Sequence, residues 1–183
     1  MTLWQFYEDR GRPEDEAAFG PLLARVHEAL LDYPDPLPPF TIELDDVGRL
    51  LEDRPRLSRL REEDHAFWRA VHEEIQSEVS SIRPEDRPLH GSPHSGNWLN
   101  APQGLLLPDF ETACRGPVEW DLSAMGNEAL DAFGPIDQEL LSLLRRMRSL
   151  CVAVKCWMDP GRAPEVAEAA VVHLRLLRGD ALD

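Results

Sequence analysis

The chain has 183 residues, of which 43% are hydrophobic, enough for a folded domain with a buried core. Its 34 acidic residues outnumber 19 basic ones; the net charge of −15 disfavours nucleic acid and anionic lipid surfaces and favours cationic small molecules. There is no run of about 18 apolar residues to cross a membrane, and the N-terminal residues lack a signal-peptide pattern. We therefore expect a cytoplasmic protein whose cysteines, Cys114, Cys151 and Cys156, stay reduced.

The parts of the sequence before and after the middle of the chain have mainly helical patterns. The segment Met1–Tyr7 is apolar and aromatic and is expected to be extended. After it, apolar residues recur every three or four positions in stretches that prolines separate, which is typical of amphipathic helices. The predicted helices are Glu14–Leu31, Asp45–Glu52, Arg61–Ile82, Ile136–Trp157 and Pro164–Arg178.

The middle of the chain breaks this pattern. Closely spaced glycines and a proline exclude a regular helix over His90–Asn97, so this segment is predicted to be a loop. Asn97–Asn100 and Leu105–Leu107 are short apolar runs joined by a turn, which predicts a β-hairpin, and a further turn is expected at Cys114–Pro117. The predicted fold is therefore mainly α-helical with one small β-hairpin.

A candidate metal site lies at the two ends of the predicted hairpin. Asn97 stands at its start and Asp109 just past its end. Because the ends of a tight hairpin lie close together, we expect these two side chains to approach each other. An amide oxygen beside a carboxylate is a pair of hard oxygen ligands of the kind that holds Mg²⁺ against phosphates.

The same segment resembles a known family. The strings HGSPHSGN from His90, LLPDFE around Asp109 and RGPVEWDLS around Asp121 resemble motifs of the aminoglycoside phosphotransferase and choline kinase group. The pattern of that group is His-Gly-Asp-x-His-x-x-Asn, then an aspartate on the metal-binding loop, then Trp-Asp. The resemblance is close from His90 to Asp121, and it implies the C-terminal lobe of a protein-kinase-like fold, a small-molecule O-phosphotransferase, and ATP and Mg²⁺ as cofactors.

The resemblance also implies roles for individual residues. Asn97 and Asp109 stand where the family has its two magnesium ligands. His90 and His94 are implied to brace the catalytic loop, and Asp121 to be the buried acid that supports it. Four acids follow the metal-loop aspartate where the family builds its substrate pocket, and they form either part of that pocket or a solvated face. They are Glu111, Glu119, Glu128 and Asp131.

The motif departs from the family at Ser92, where the catalytic aspartate is expected. A serine hydroxyl is not a base near neutral pH, and losing a positioned general base costs about 10²–10⁴-fold in rate. His94 is a weaker candidate for the replacement base, because its position in the motif directs its side chain away from the place where the base is needed. A hydrolytic set of Ser92, His94 and Asp109 lacks a G-x-S-x-G elbow. A zinc site at His90 and His94 lacks the helical geometry that would align the two rings.

The nucleotide-binding half of a kinase is not recognisable. No glycine-rich phosphate loop or Walker A motif is present, and Lys155, the sole lysine, lies in a late helix. We therefore expect the N-terminal lobe to be absent and the chain to be truncated at the hinge. The predicted organisation is a single domain over residues 1–183, with a hinge-like segment at 1–7, a helical region at 8–88, the catalytic-loop-like and metal-loop-like region at 89–121, and C-terminal helices at 122–183.

These departures predict a phosphotransferase-family protein that is impaired or inactive, a pseudokinase. The alternatives are a non-catalytic module that binds or regulates through a small molecule, and a lobe completed by a partner chain. The apolar N-terminal residues either fold onto the domain's own core or are covered by a second copy or a partner chain. They are Leu3, Trp4, Phe6 and Tyr7.

Overall fold

The computed structural model describes residues 6–11, 15–57, 60–82, 85–158 and 163–179, and most of them are helical. The helices are α1 (Phe19–Leu30), α2 (Ile42–Glu52), α3 (Glu62–Ser81), α4 (Val118–Leu122), α5 (Asn127–Phe133), α6 (Gln138–Met158) and α7 (Pro164–Arg178). The strands are β1 (Arg87–Leu89), β2 (Leu99–Ala101), β3 (Gly104–Leu106) and β4 (Cys114–Gly116). Of the residues described, none belongs to a helix that is both long and apolar enough to cross a lipid bilayer.

The residues form two compact units, each built from two separate segments of the chain. Unit 1 comprises the described parts of Met1–Pro39 and Glu85–Asp137. Unit 2 comprises the described parts of Phe40–Pro84 and Gln138–Asp183. All of the loop, metal and support residues named from the sequence fall in unit 1.

Unit 1 combines α1, α4 and α5 with two small antiparallel sheets. Strand β1 pairs with β4, and β2 pairs with β3 through a tight turn. Helix α1 buries Phe19, Leu23 and His27 on one face. It also lies unusually close to α5, because a Cβ atom on Gly20 would be only 2.3 Å from the carbonyl oxygen of Ala129.

Unit 2 is a helical assembly in which α6 packs against α2, α3 and α7. The buried face of α6 includes Leu144, Met147 and Leu150, all fully shielded from solvent. Two histidines of α3 also join it to α2: His65 Nε2 lies 2.8 Å from the carbonyl oxygen of Leu51, and His72 Nε2 lies 3.0 Å from that of Leu44. Hydrogen bonds therefore supplement apolar packing between these two helices.

Most of the predicted elements are present, with ends that shift by a few residues. The hairpin is confirmed, although its strands are β2 and β3 and a 3₁₀ turn at Ser95–Asn97 precedes them. The turn predicted at Cys114–Pro117 is wrong, because residues 114–116 are strand β4 paired with β1. This second sheet was not expected, since each of its strands is only three residues long. Leu3 and Trp4 lie outside the described residues, whereas Phe6 is 87% exposed.

Candidate active site

The loop at His90–Asn97 is held by one buried carboxylate. Asp121, on α4, has no solvent exposure. Its Oδ2 accepts a hydrogen bond from the backbone N–H of His90 at 2.9 Å, and its Oδ1 accepts one from the N–H of Gly91 at 2.7 Å. Hydrogen bonds to a buried charged group are stronger than neutral ones, so these two contacts fix the start of the loop.

A histidine outside the sequence motifs completes this support. His27 on α1 is 4% exposed, and its Nε2 donates a hydrogen bond to Asp121 Oδ2 at 2.8 Å. Among the described residues, its Nδ1 has no hydrogen-bond partner. His27 follows Phe19 and Leu23 at four-residue intervals on the buried face of α1, so its position could have been recognised from helical periodicity.

His90 connects the loop to the segment that carries Asp109. Its Nε2 donates to the carbonyl oxygen of Pro108 at 2.9 Å, and its Nδ1 accepts from the backbone N–H of Ser92 at 3.3 Å. Its ring also lies against Phe110, with the ring centroids 4.5 Å apart. The residues on both sides of Asp109 therefore contact His90.

The backbones of the two segments also meet at Gly91. This glycine has φ +92°, and a Cβ atom there would be 1.9 Å from the carbonyl oxygen of Thr112. The side-chain hydroxyl of Thr112 lies 3.5 Å from the carbonyl oxygen of His90, at the limit of a hydrogen bond. The loop that carries Asn97 and the segment that carries Asp109 therefore belong to one local structure.

Asn97 and Ser92 face each other across the loop. The Nδ2 of Asn97 donates to the carbonyl oxygen of Ser92 at 2.9 Å. Because Nδ2 is used in this contact, the orientation leaves the amide oxygen of Asn97 as the available ligand. The backbone of Ser92 is held on both sides, by Asn97 at its carbonyl and by His90 at its N–H.

Trp98 holds the end of the loop through a hydrogen bond and a ring contact. Its indole N–H donates to the carbonyl oxygen of Pro93 at 2.8 Å. Its ring stacks on Phe19 of α1, with the centroids 4.2 Å apart. The loop is thus attached to α1 at its end through Trp98 and, through Asp121 and His27, at its start.

The two predicted magnesium ligands, Asn97 and Asp109, lie on the two segments that meet at His90 and Gly91. Asp109 is exposed, and its φ of +71° is the one left-handed backbone angle among the non-glycine residues described. Such strained residues cluster at functional sites. No group of three His, Cys, Asp or Glu residues in the described ranges could hold a metal ion. The magnesium site at Asn97 and Asp109 stays a prediction, in which these residues supply two oxygens, and phosphate and water the rest, as is usual for Mg²⁺.

The two histidines of the loop do not form a metal pair. Both ring nitrogens of His90 make hydrogen bonds inside unit 1. His94 is exposed at the start of the 3₁₀ turn, and its Nδ1 accepts a hydrogen bond from the backbone N–H of Gly96 at 3.1 Å. This contact is local to the loop and resembles a helix N-cap.

The four candidate substrate acids occupy different environments. Glu119 is 9% exposed, and its Oε1 accepts a hydrogen bond from the backbone N–H of Asp137 at 3.2 Å. Glu111, Glu128 and Asp131 are exposed. The carboxylate of Glu119 thus holds the segment before α6, whereas the other three are accessible to a ligand.

A separate groove of about 460 Å³ lies within unit 2. Residues of α2 and α3 line it, among them Gly48, Arg49, Arg69 and His72. Its volume is within the usual range of small-molecule pockets. None of the site residues predicted from the sequence lines this groove.

The helical fold and the braced loop beside an exposed aspartate define a lobe of the protein-kinase-like class. A family model described as "Phosphotransferase enzyme family", also called APH, matches residues 3–148. The match covers most of the chain, so the protein belongs to this family. Among curated proteins, none matches the sequence significantly.

Solved structures of kinases have the same fold. A choline/ethanolamine kinase family protein from Mesorhizobium loti superposes with a TM-score of 0.70 at 15% identity, over 92% of this chain and 61% of that one. Choline kinase LicA from Streptococcus pneumoniae gives 0.63 at 16% identity, over 88% and 64%. The AMP-bound spectinomycin phosphotransferase APH(9)-Ia gives 0.66 at 12% identity, over 98% and 71%.

The present chain therefore spans 61–71% of the length of these three structures. At identities of 12–16%, the likeness establishes the fold and not the substrate. The predicted family and fold class are confirmed.

Proposed function

We propose that this chain is a small-molecule phosphotransferase lobe in which phosphate transfer is impaired or lost. The observation that carries the proposal is Ser92. It stands at the family's catalytic aspartate position, on a loop whose backbone is otherwise held by Asp121, His90 and Asn97. A serine hydroxyl in this place has no basicity with which to take a proton from a substrate alcohol.

In this proposal the binding functions of the site remain. Asn97 and Asp109 hold Mg²⁺ and contact the phosphates of ATP only through it, so the affinity for ATP is too low to raise the melting temperature by several degrees. The ligand is a hydroxylated cationic small molecule, which the net charge of −15 and the exposed acids Glu111, Glu128 and Asp131 favour. His94 is exposed beside Ser92 in the sequence, but its Nδ1 is occupied by Gly96, which weakens it as a replacement base.

A non-catalytic binding module is the second candidate. The buried bracing by Asp121 and His27 supports it, because such a loop keeps its shape without any requirement for turnover. The nucleotide-bound neighbours are longer than this chain. The proposed contacts with ATP are therefore limited to those that Asn97 and Asp109 can make. In a further form of the same proposal, a partner chain supplies the other nucleotide contacts.

Phosphotransfer assays on the chain and on Ser92→Asp test the loss of catalysis. With ATP, Mg²⁺ and a panel of amino alcohols and aminoglycosides, we expect no turnover from either protein and no ATP–Mg²⁺-dependent thermal shift of several degrees. Turnover by the unmodified chain would contradict impairment. Turnover by Ser92→Asp alone would show that one side chain accounts for the whole loss and that no further nucleotide contacts are needed.

Binding of Mn²⁺ as a paramagnetic substitute for Mg²⁺ tests the metal site separately. Line broadening in NMR spectra should centre on residues 97 and 109 and should weaken in Asn97→Ala and Asp109→Ala. The exposed acid Asp45 on α2 supplies a control, because Asp45→Asn should leave the broadening unchanged. Broadening that ignores both site variants would place the ion elsewhere.

A further inference from the structure

The groove between α2 and α3 in unit 2 has no part in the site built around His90–Asn97. Its volume of about 460 Å³ is enough for a small molecule. The buried side chain of Leu51 and the half-buried ring of His72 line it, together with three acids and two arginines. The kind of ligand that fits therefore depends on which of these polar groups are still available.

His72 has one ring nitrogen engaged and one available. Its Nε2 donates a hydrogen bond to the carbonyl oxygen of Leu44 at 3.0 Å. Because a carbonyl oxygen only accepts, the proton of the neutral ring is on Nε2 and Nδ1 is an acceptor. The ring comes this close to α2 because residue 48 is glycine, at which a Cβ atom would be 2.9 Å from Nε2. In the part of the chain that the structure describes, Nδ1 makes no hydrogen bond, so it can accept one from a ligand.

The two arginines that line the groove are already paired. Arg49 holds Asp46 on its own helix, and Arg69 lies 3.7 Å from Glu73. More than half of each arginine side chain is exposed to solvent. An anionic ligand would have to compete with these two acids, so the groove does not favour an anion.

Two acids of the groove are available. Asp45 and Glu52 are exposed, and their carboxylates form no ion pair or hydrogen bond with any residue in the described ranges. The groups that face a ligand are therefore two carboxylates and an imidazole nitrogen, all of them acceptors, which match a cation that carries N–H donors. A metal ion does not fit, because no three His, Cys, Asp or Glu side chains among the described residues could hold one.

The three acceptors follow one another along α2. Asp45 and Glu52 are two helical turns apart on the same face, which separates them by about 10 Å along the axis. His72 contacts α2 at Gly48, between them. We propose that this groove binds a linear aliphatic polyamine, whose terminal ammonium groups pair with Asp45 and Glu52 and whose central N–H group donates to His72 Nδ1. An extended triamine such as spermidine has a length comparable to this separation.

Titration of the full chain with spermidine at low ionic strength, followed by NMR, tests the proposal. Exposed ion pairs are weak, so we expect a dissociation constant on the order of 0.1–1 mM. The largest shift changes should lie around Asp45, Gly48 and Glu52. The double variant Asp45→Asn/Glu52→Gln should weaken binding about tenfold or more, because both terminal ammonium groups lose their partners.

The net charge of −15 attracts any polyamine, so the control has to remove the same charge elsewhere. Glu165 and Glu168 are exposed on α7 and do not line the groove. Glu165→Gln/Glu168→Gln therefore removes two negative charges outside the groove and should leave the affinity nearly unchanged. Equal weakening by the two double variants would mean that spermidine follows the overall charge, and it would overturn the proposal.

A second ligand tests the contact with His72. Octane-1,8-diamine has as many chain atoms between its terminal amines as spermidine but no central N–H group, so it should bind the unmodified chain several-fold more weakly. The ratio of the two affinities should shrink in His72→Phe, which keeps an aromatic ring beside Gly48 without an acceptor. Circular dichroism shows whether each variant is folded. A ratio that His72→Phe leaves unchanged overturns the proposal, and so does spermidine that shifts no groove signal at concentrations up to about 10 mM.

Discussion

Gly91 occupies the position where the loop backbone leaves least space for a side chain. It combines a left-handed φ of +92° with a separation of 1.9 Å between a would-be Cβ atom and the carbonyl oxygen of Thr112. Gly104, in the β2–β3 turn, has φ +125° but nothing within 4 Å of its would-be Cβ. A substitution at Gly104 therefore tests the energetic cost of backbone strain alone, whereas a substitution at Gly91 adds the cost of a steric clash.

Gly104→Ala should lower the free energy of unfolding by about 1–2 kcal/mol, the usual cost of a left-handed conformation for an L-residue. Gly91→Ala should lower it by about 3 kcal/mol or more, because the segment of Thr112 has to move away from the loop. Urea unfolding of both variants gives the comparison. Equal losses would mean that the loop and the Thr112 segment are not packed as described.

At this scale the sequence predicted which residues belong together but not what holds them. The proximity of the segments of Asn97 and Asp109 follows from the two ends of a hairpin, and the structure shows them joined through His90 and Gly91. His27 lies 94 residues from Asp121, so only the fold could reveal their hydrogen bond. The burial of Glu119 and its contact with Asp137 were equally invisible from composition.

The helices could be predicted more completely than the strands. Helices α3, α6 and α7 have long periodic patterns, and the structure places their ends within two residues of the prediction. Strands β1 and β4 have three residues each, too few to show an alternating pattern, and β1 contains Pro88. Their pairing depends on contacts between distant parts of the chain, which local sequence does not encode.

The contact between α6 and α7 contains a titratable group, and this gives a prediction for pH. Burial lowers the pKa of His173 below its ordinary value of 6.5, and the positive charge of Arg148 lowers it further. The folded protein therefore prefers neutral His173, whereas the unfolded chain binds a proton more readily. Its contribution to stability is present above pH 6.5 and is lost as the pH falls from 6.5 through the lower pKa of the folded state.

His173→Gln should therefore make the loss of stability between neutral and mildly acidic pH smaller than in the unmodified protein. Urea unfolding on both sides of the titration range measures this difference. His94→Gln is the control, because His94 is exposed on the loop of unit 1 and its replacement should leave the pH dependence unchanged. A pH dependence identical in His173→Gln and the unmodified chain would show that His173 is not the responsible group.

The arrangement of the whole chain into two units could not be read from the sequence. Each unit takes one segment from the first half and one from the second, with crossings at Pro39 to Phe40, at Pro84 to Glu85 and at Asp137 to Gln138. Each crossing lies within two residues of a proline, but prolines also occur at many positions where there is no crossing, and nothing in the sequence says which segments pack together. The assignment of residues to units is a property of the contacts, and sequence patterns describe only neighbours along the chain.

The net charge of −15 acts on the molecule as a whole and predicts the direction of its salt dependence. Surface ion pairs such as Arg69–Glu73, at 3.7 Å, and Arg146–Glu74, at 2.9 Å, are each worth about 0–1 kcal/mol and weaken when salt screens them. Screening also weakens the mutual repulsion of 34 acids that only 19 bases oppose. Because folding brings these acids closer together, the repulsion is larger in the folded state than in the expanded chain.

We expect the second effect to be the larger, so the free energy of unfolding should rise as NaCl is increased from about 0.02 M to about 0.5 M, a range over which the Debye length falls from roughly 20 Å to 4 Å. Urea unfolding at each salt concentration measures it, and KCl should act as NaCl does because screening depends on ionic strength. A fall in stability with either salt would mean that attraction within the ion pairs contributes more to the free energy of unfolding than repulsion among the excess acids takes away.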